Sequence, residues 1–215
     1  MLVVGVDLAG VARRPSGFCV LRDLAAETCL LFSDEAIVEA VVSAAPSVVA
    51  VDAPLSLPPG RCSIDDVSGE HLRLCDRELL RRGIRFFPVT LGPMRGLTAR
   101  GIRLRGRLEA LGYRVVEVYP GGAQDVLGVP RKRVGLDALR AGLEGLGIKG
   151  LSAGMSDHEL DAVTCAYVGY LLLEGRAVCY GAGDEVIVMP RGENLMRGAR
   201  RQKRSPRQAH DFSHG

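Results

Sequence analysis

Two short runs, LVVGVD at residues 2–7 and SVVAVD at 47–52, are apolar and rich in valine almost throughout, and each closes on an aspartate. β-Branched side chains favour extended backbone, and an apolar run without polar alternation suits a strand buried on both faces of a sheet. An ionised carboxylate is rarely tolerated in such an interior without a cation or hydrogen-bond donors. Asp7 and Asp52 therefore close their strands as candidates for chemistry. The structural alternatives are a turn-forming acid at Asp7 and an Asx-type turn at Asp52, which precedes Ala-Pro.

The remaining pattern supplies a sheet for those strands. After ARRPSG at 12–17, which has turn chemistry, FCVLRD and ETCLLF read as two more strands and make an antiparallel three-strand meander with the first. Residues 34–45 have helical spacing. Arginine-rich amphipathic helices are expected at about 68–82 and 96–111, a strand carrying Glu117 at 113–120, and small helices over 122–146. A helix from 156 and a short strand pair, AVCYG and DEVIVMP, close the pattern. That order predicts an α/β fold: a mixed sheet, meander plus parallel strands, with helices on both faces. In such sheets functional groups collect at the carboxyl ends of strands, where Asp7, Asp52 and Glu117 fall.

The helix beginning SDHELDAVTCAYVGYLL adds two more acids. Ser156 and Glu159 form a capping box, and acids in a first turn favour the helix dipole, which accounts for Asp157 as well. Asp161 is different, because its neighbours at helical spacing, Thr164, Cys165, Val168 and Leu171, form a stripe that turns apolar within one turn. Asp161 is aimed inward. His158 beside it suits an exposed first-turn residue better than a proton relay.

Composition sets the outer limits. A chain of 215 residues, 47% hydrophobic and 25% charged, supports one globular domain over residues 1–190. No run is long and apolar enough for a membrane span, and the start lacks a signal-peptide pattern, so a cytoplasmic protein without membrane association is expected. Residues 191–215 hold the basic excess and no hydrophobic period, and are expected to form a disordered tail. Six scattered cysteines without a CxxC suit buried reduced thiols rather than a zinc site. Arg73, Arg77 and Arg81 recur every four residues, with Arg85, Phe86, Phe87 and Arg95 beyond, a pattern that suits phosphate contact and base stacking as well as a solvated charged face.

The stretches GVDLAG, VAVDAPL, CDRELLRRGIRFFP, EVYPGG and SDHELDAVTCAY, in that order over nearly all of residues 1–190, resemble the domain-of-unknown-function family numbered 429, described as predicted nucleases with an RNase H-like fold. The resemblance implies a site similar to that of RuvC-type resolvases, with one acid on the first strand, one ending the fourth and two on the last helix. Matched residue by residue these are Asp7, Asp52, Asp157 and Asp161, although the helical pair is spaced by four residues where three is common in resolvases. Glu117 is a further candidate. The implied cofactor is Mg²⁺ or Mn²⁺, two ions, since carboxylates converging without a cation would repel one another and protonate. The implied partner is DNA or RNA, and the likeness to dimeric resolvases allows a homodimer.

Two functions are thus expected from different classes. One is a metal-dependent nuclease that hydrolyses phosphodiester bonds by a two-metal carboxylate mechanism, with Arg73, Arg77, Arg81, Arg85 and Arg95 binding nucleic acid. The other is a non-catalytic nucleic-acid-binding or regulatory protein on the same fold.

Overall fold

A computed structural model describes residues 1–11 and 13–192. Beyond Arg191 and Gly192, the basic segment expected to be a disordered tail lies outside the described residues. β1 (Leu2–Asp7), β2 (Ser16–Arg22) and β3 (Ala25–Leu31) form the meander, followed by α1 (Asp34–Ala44) and β4 (Val48–Asp52). Next come α2 (Leu74–Arg81), α3 (Gly92–Ala110), β5 (Val115–Val118) and α4 (Pro120–Leu127). A single 3-10 turn (Lys132–Val134), α5 (Leu136–Gly145), α6 (Asp157–Leu173), β6 (Ala177–Ala182) and β7 (Glu185–Pro190) complete the order.

The seven strands form one sheet in the order β3-β2-β1-β4-β5-β7-β6. β1, β4, β5 and β7 run parallel, whereas β2, β3 and β6 pair antiparallel to their neighbours. This is the expected mixed sheet, a three-strand meander joined to parallel strands. α6 lies across β1, β2 and β4 on one face, while α1 and α3 cover the other. No helix among the described residues is long and apolar enough to cross a membrane.

Side-chain alternation assigns each strand residue to a face. Val3 on β1 and Val48 and Ala50 on β4 pack in the core beneath α6, whereas Val4, Val6, Val49 and Val51 pack toward α1 and α3. By the same parity Asp7 and Asp52 continue the row that faces α6. The helix is buried continuously from Leu160 to Gly169, wider than the expected stripe, because α4 and α5 pack on it from the side away from the sheet.

Glycines let α6 press onto the strands. A Cβ at Gly5 would lie 2.1 Å from the Ala162 carbonyl oxygen, and one at Gly17 would lie 1.9 Å from that of His158. Gly17 is the cross-strand partner of Asp7. Missing side chains at these two points are thus what allow the first turns of α6 to reach the end of β1.

Two helix starts differ from the sequence expectation. α2 begins at Leu74 rather than near residue 68, because the preceding segment, with Gly60, Gly69 and three prolines, is a loop. α3 begins at Gly92 rather than near 96, with Pro93 in its first turn, where a proline loses no hydrogen bond. The cysteines are all free, but Cys29, Cys62 and Cys179 are exposed; Cys29 and Cys179 stand on the edge strands β3 and β6, where one face meets solvent.

Candidate functional site

Asp7 and Asp52 are paired across the parallel ladder of β1 and β4, the last residue of each strand. Adjacent strands lie about 4.8 Å apart, so two carboxylates pointing to one face at paired positions are close neighbours. The capping box predicted at Ser156 starts α6 as expected: Ser156 Oγ accepts from the Glu159 amide and Glu159 accepts from the Ser156 amide. That start, together with the close approach at Gly17, sets Asp161 one turn into the helix beside the two strand ends.

Each acid has its own partners. Asp161 is buried, with one carboxylate oxygen accepting from Gln124 Nε2 at 2.9 Å and the other from Lys132 Nζ at 2.9 Å. Gln124 also donates to Thr164 Oγ1 at 3.1 Å, which fixes the amide against α6. Lys132 Nζ donates in addition to Asp157 Oδ2 at 3.0 Å, so one ammonium bridges both helical aspartates. Asp7 accepts from His158 Nδ1 at 2.7 Å. Asp52 has no hydrogen-bond donor among the described residues.

The electrostatics follow from that distribution. Burial, then the charges of Asp7 and Asp161, push the Asp52 carboxyl well above the ordinary range, with Lys132 opposing them. Asp161 is also pushed up, by burial first, with the Lys132 ammonium pulling the other way and Asp7 adding to the rise. Asp157 is more open; burial acts to raise it, but its bond to Lys132 outweighs this and holds it below the usual value. Burial disfavours the Lys132 charge, yet Asp161 and Asp157 more than offset it and raise the ammonium. His158 is raised by its hydrogen bond to Asp7. Negative charge is in excess around Asp52.

Glu117 is not part of this cluster. Its register partners are Val51 on β4 and Ile187 on β7, and it lines the same cavity as Asp52, where its charge adds to the rise of the Asp52 carboxyl, but its own oxygens are taken up elsewhere. It is buried and held in a two-pronged pair by Arg73, with NH1 to Oε2 at 2.7 Å and NH2 to Oε1 at 2.8 Å, and it accepts from the Leu55 amide at 2.8 Å. This also corrects the reading of Arg73. Instead of lying on an exposed basic face it caps α2, is 3% exposed, and donates to Asp76 as well as Glu117.

The other arginines are mostly answered by acids. Arg77 pairs with Glu70, Arg81 with Glu78 and Arg95 with Asp65, so the proposed basic stripe is an interleaved charged surface. Arg85 alone of the five has no acidic partner among the described residues, and its carbonyl accepts from the Tyr119 hydroxyl at 3.0 Å. Arg100, farther along the arginine series, is turned inward and ties the Ala9 carbonyl after Asp7 to Asp34 on α1.

Sequence reasoning missed Lys132 and Gln124 and gave His158 little weight. Lys132 sits in a short 3-10 turn with no periodicity to mark it. Its one signal is rarity: it is one of three lysines in a chain that otherwise uses arginine.

A cavity of about 340 Å³ opens beside the cluster, with Asp52 and Lys132 in its lining along with Phe86, Phe87 and Tyr119. A larger one, about 710 Å³, lies between the loop at Leu55–Arg61, α3 and the β6–β7 turn and contains none of the clustered acids. Among the described residues, no three histidine, cysteine or acidic side chains stand as a ready-formed metal cage.

No curated protein matches the sequence. Solved structures similar to the chain include a Thermus thermophilus RuvC in complex with a Holliday junction substrate, at 17% identity and a TM-score of 0.46, and a Thermus thermophilus RuvC alone, at 16% and 0.47. Each alignment covers 81% of this chain and 97% of the other. The family model described as "Protein of unknown function (DUF429)" matches residues 5–186, a span that takes in Asp7, Asp52, Asp157 and Asp161, and the chain belongs to that family.

Proposed function

We propose that the protein is a metal-dependent nuclease that hydrolyses phosphodiester bonds of DNA or RNA at the carboxylate cluster of Asp7, Asp52 and Asp161. One observation carries this reading: three acids from two strand ends and a helix converge in a partly buried place where Asp52 has no hydrogen-bond donor among the described residues. A structural role explains a paired acid, whereas an unpaired one held among other acids lowers stability and is characteristic of a site built to hold a cation.

The donor set fits a hard divalent ion, since carboxylate oxygens suit Mg²⁺ and Mn²⁺ and the cluster is short of positive charge. Asp7 and Asp52 would hold it, with Asp161 adjoining. Such an ion supplies Lewis acidity, polarising a phosphoryl oxygen and lowering the pKa of water. Two ions are implied by the family resemblance, but Lys132 already bridges Asp157 and Asp161. The reading is therefore one divalent ion on the strand side, with the Lys132 ammonium as the second positive charge.

The protein's own residues have separable tasks. Asp7 and Asp52 collect negative charge at the strand ends, and Gln124 keeps Asp161 in one rotamer. Lys132, half exposed, offers a cation to the non-bridging oxygens of an incoming phosphate. His158 orients Asp7 and is able to exchange a proton with solvent.

The test is cleavage of single-stranded, duplex and branched DNA and RNA with Mn²⁺ by the full chain, beside Asp7→Asn and Asp52→Asn. Turnover by the wild type that both substitutions abolish is the expected result. Salt-dependent binding without cleavage on every substrate and metal would favour the non-catalytic alternative instead.

A further inference from the structure

The cavity beside the cluster differs in character from the acids next to it. Its apolar walls are Phe86 and Phe87 from the α2–α3 connection, Met94 and Leu97 from α3, and Tyr119 at the end of β5, while Asp52 and Lys132 form one side and the mutually paired Arg73, Asp76 and Glu117 close the inner end. Phe87 is 73% exposed, a large apolar ring left in water at the mouth. The wall is held in place: the Tyr119 hydroxyl bonds the Arg85 carbonyl at 3.0 Å, and a Cβ at Gly122 would lie 2.7 Å from the Tyr119 ring, so the glycine makes room for it. Arg85, which has no acidic partner among the described residues, adjoins the two phenylalanines.

We propose that this cavity is a binding site for one unpaired nucleobase, stacked against Phe87, of the strand whose phosphate lies at Asp52 and Lys132. Planar aromatic ligands stack on exposed aromatic rings without regard to base identity, and thioether and aliphatic groups complete such a slot. At about 340 Å³ the volume is at the small end of ligand sites, suited to a single ring system and not to a duplex. An aromatic pocket and a phosphate-directed charge cluster that share Asp52 and Lys132 match the two halves of a nucleotide. A base inside a duplex is unavailable to such a slot unless it is extruded. The site therefore selects single-stranded or locally opened nucleic acid.

The inference rests on the nuclease reading and deepens it by naming the substrate class. Its test uses the full chain in EDTA, so that cleavage does not intervene, with fluorescence anisotropy of a labelled single-stranded oligonucleotide and of the same sequence fully paired. Phe87→Ala is expected to fold normally, because the side chain is exposed, and to weaken single-strand binding by about 5- to 150-fold. Phe87→Trp is expected to retain the affinity, and duplex binding to change little in either variant. Single-strand affinity unchanged in Phe87→Ala, an equal loss on the duplex, or a loss shared by Phe87→Trp overturns the base site while leaving the nuclease reading intact. Failure of the wild type to bind either nucleic acid, in EDTA and in Ca²⁺, overturns the nuclease reading and this inference with it.

Discussion

Asp7 and Asp52 are paired residues at the carboxyl ends of adjacent parallel strands, and both turn to the face that α6 covers. Every feature of the candidate site depends on that juxtaposition. It concentrates charge that Lys132 and His158 partly answer, and among the described residues it leaves Asp52 without a donor.

Replacing Asp52 by Asn removes the uncompensated charge, so the metal-free variant should be more stable than the wild type by about 0.5–2 kcal/mol at pH 7. The folded-state pKa of Asp52 is raised, so the wild type loses stability as pH climbs from the unfolded value of about 3.9 through the folded one. The advantage of Asn is therefore absent near pH 3.5 and grows as pH rises toward and through the folded value. Urea unfolding of both proteins across that range measures it, and a less stable variant at pH 7 would show that Asp52 has a structural partner.

Lys132 is assigned as a built-in cation for Asp157 and Asp161. Lys132→Gln frees both carboxylates, and Mn²⁺ bound per chain in calorimetry should rise from one to two. A count that stays at one, or falls, would refute the lysine's role as a substitute for a second ion.

Glu117 and Arg73 form a buried ion pair beside the carboxylate cluster. Glu117→Ala leaves the guanidinium uncompensated and should destabilise the fold by about 3–5 kcal/mol. Mn²⁺ affinity at a temperature where the variant is folded should be unchanged. Lost Mn²⁺ binding with stability intact would return Glu117 to the metal cluster.

His158 titrates high because Asp7 holds its Nδ1 proton. In the metal-free protein, the pair stabilises the fold fully below the ordinary histidine pKa of about 6.5, and that contribution is lost as pH rises through the raised folded value. The stability difference between wild type and His158→Gln should accordingly be larger at pH 6 than at pH 9. Proton NMR should show the His158 titration falling toward 6.5 in Asp7→Asn; a titration unmoved by that substitution would mean that Asp7 is not its cause.

The parts of the site that were legible in the sequence are those with a periodicity to break. Asp7 and Asp52 interrupt apolar strands and Asp161 interrupts an apolar helical stripe, so each announces a buried carboxylate. The partner of Glu117 is not legible in a four-residue strand, VVEV; it is fixed by the approach of Arg73, a residue far away in sequence. Arg73 does not join an exposed stripe, because four-residue spacing assumes a helix already begun, whereas the helix starts one residue later and the side chain turns in to donate to Asp76 and Glu117. Lys132 and Gln124 come from a short turn and a helix whose positions over α6 depend on the whole chain packing. The mixed sheet was readable from strand order, but the approach of α6 at Gly5 and Gly17 became visible only in three dimensions.

The central claim is that acids far apart in sequence hold one divalent ion. Isothermal calorimetry with Mn²⁺ on the wild type, Asp7→Asn and Asp161→Asn, run under identical conditions, addresses it most directly. One saturable site is expected in the wild type, abolished in Asp7→Asn and weakened or abolished in Asp161→Asn. Mn²⁺ binding of unaltered affinity in both variants would contradict it.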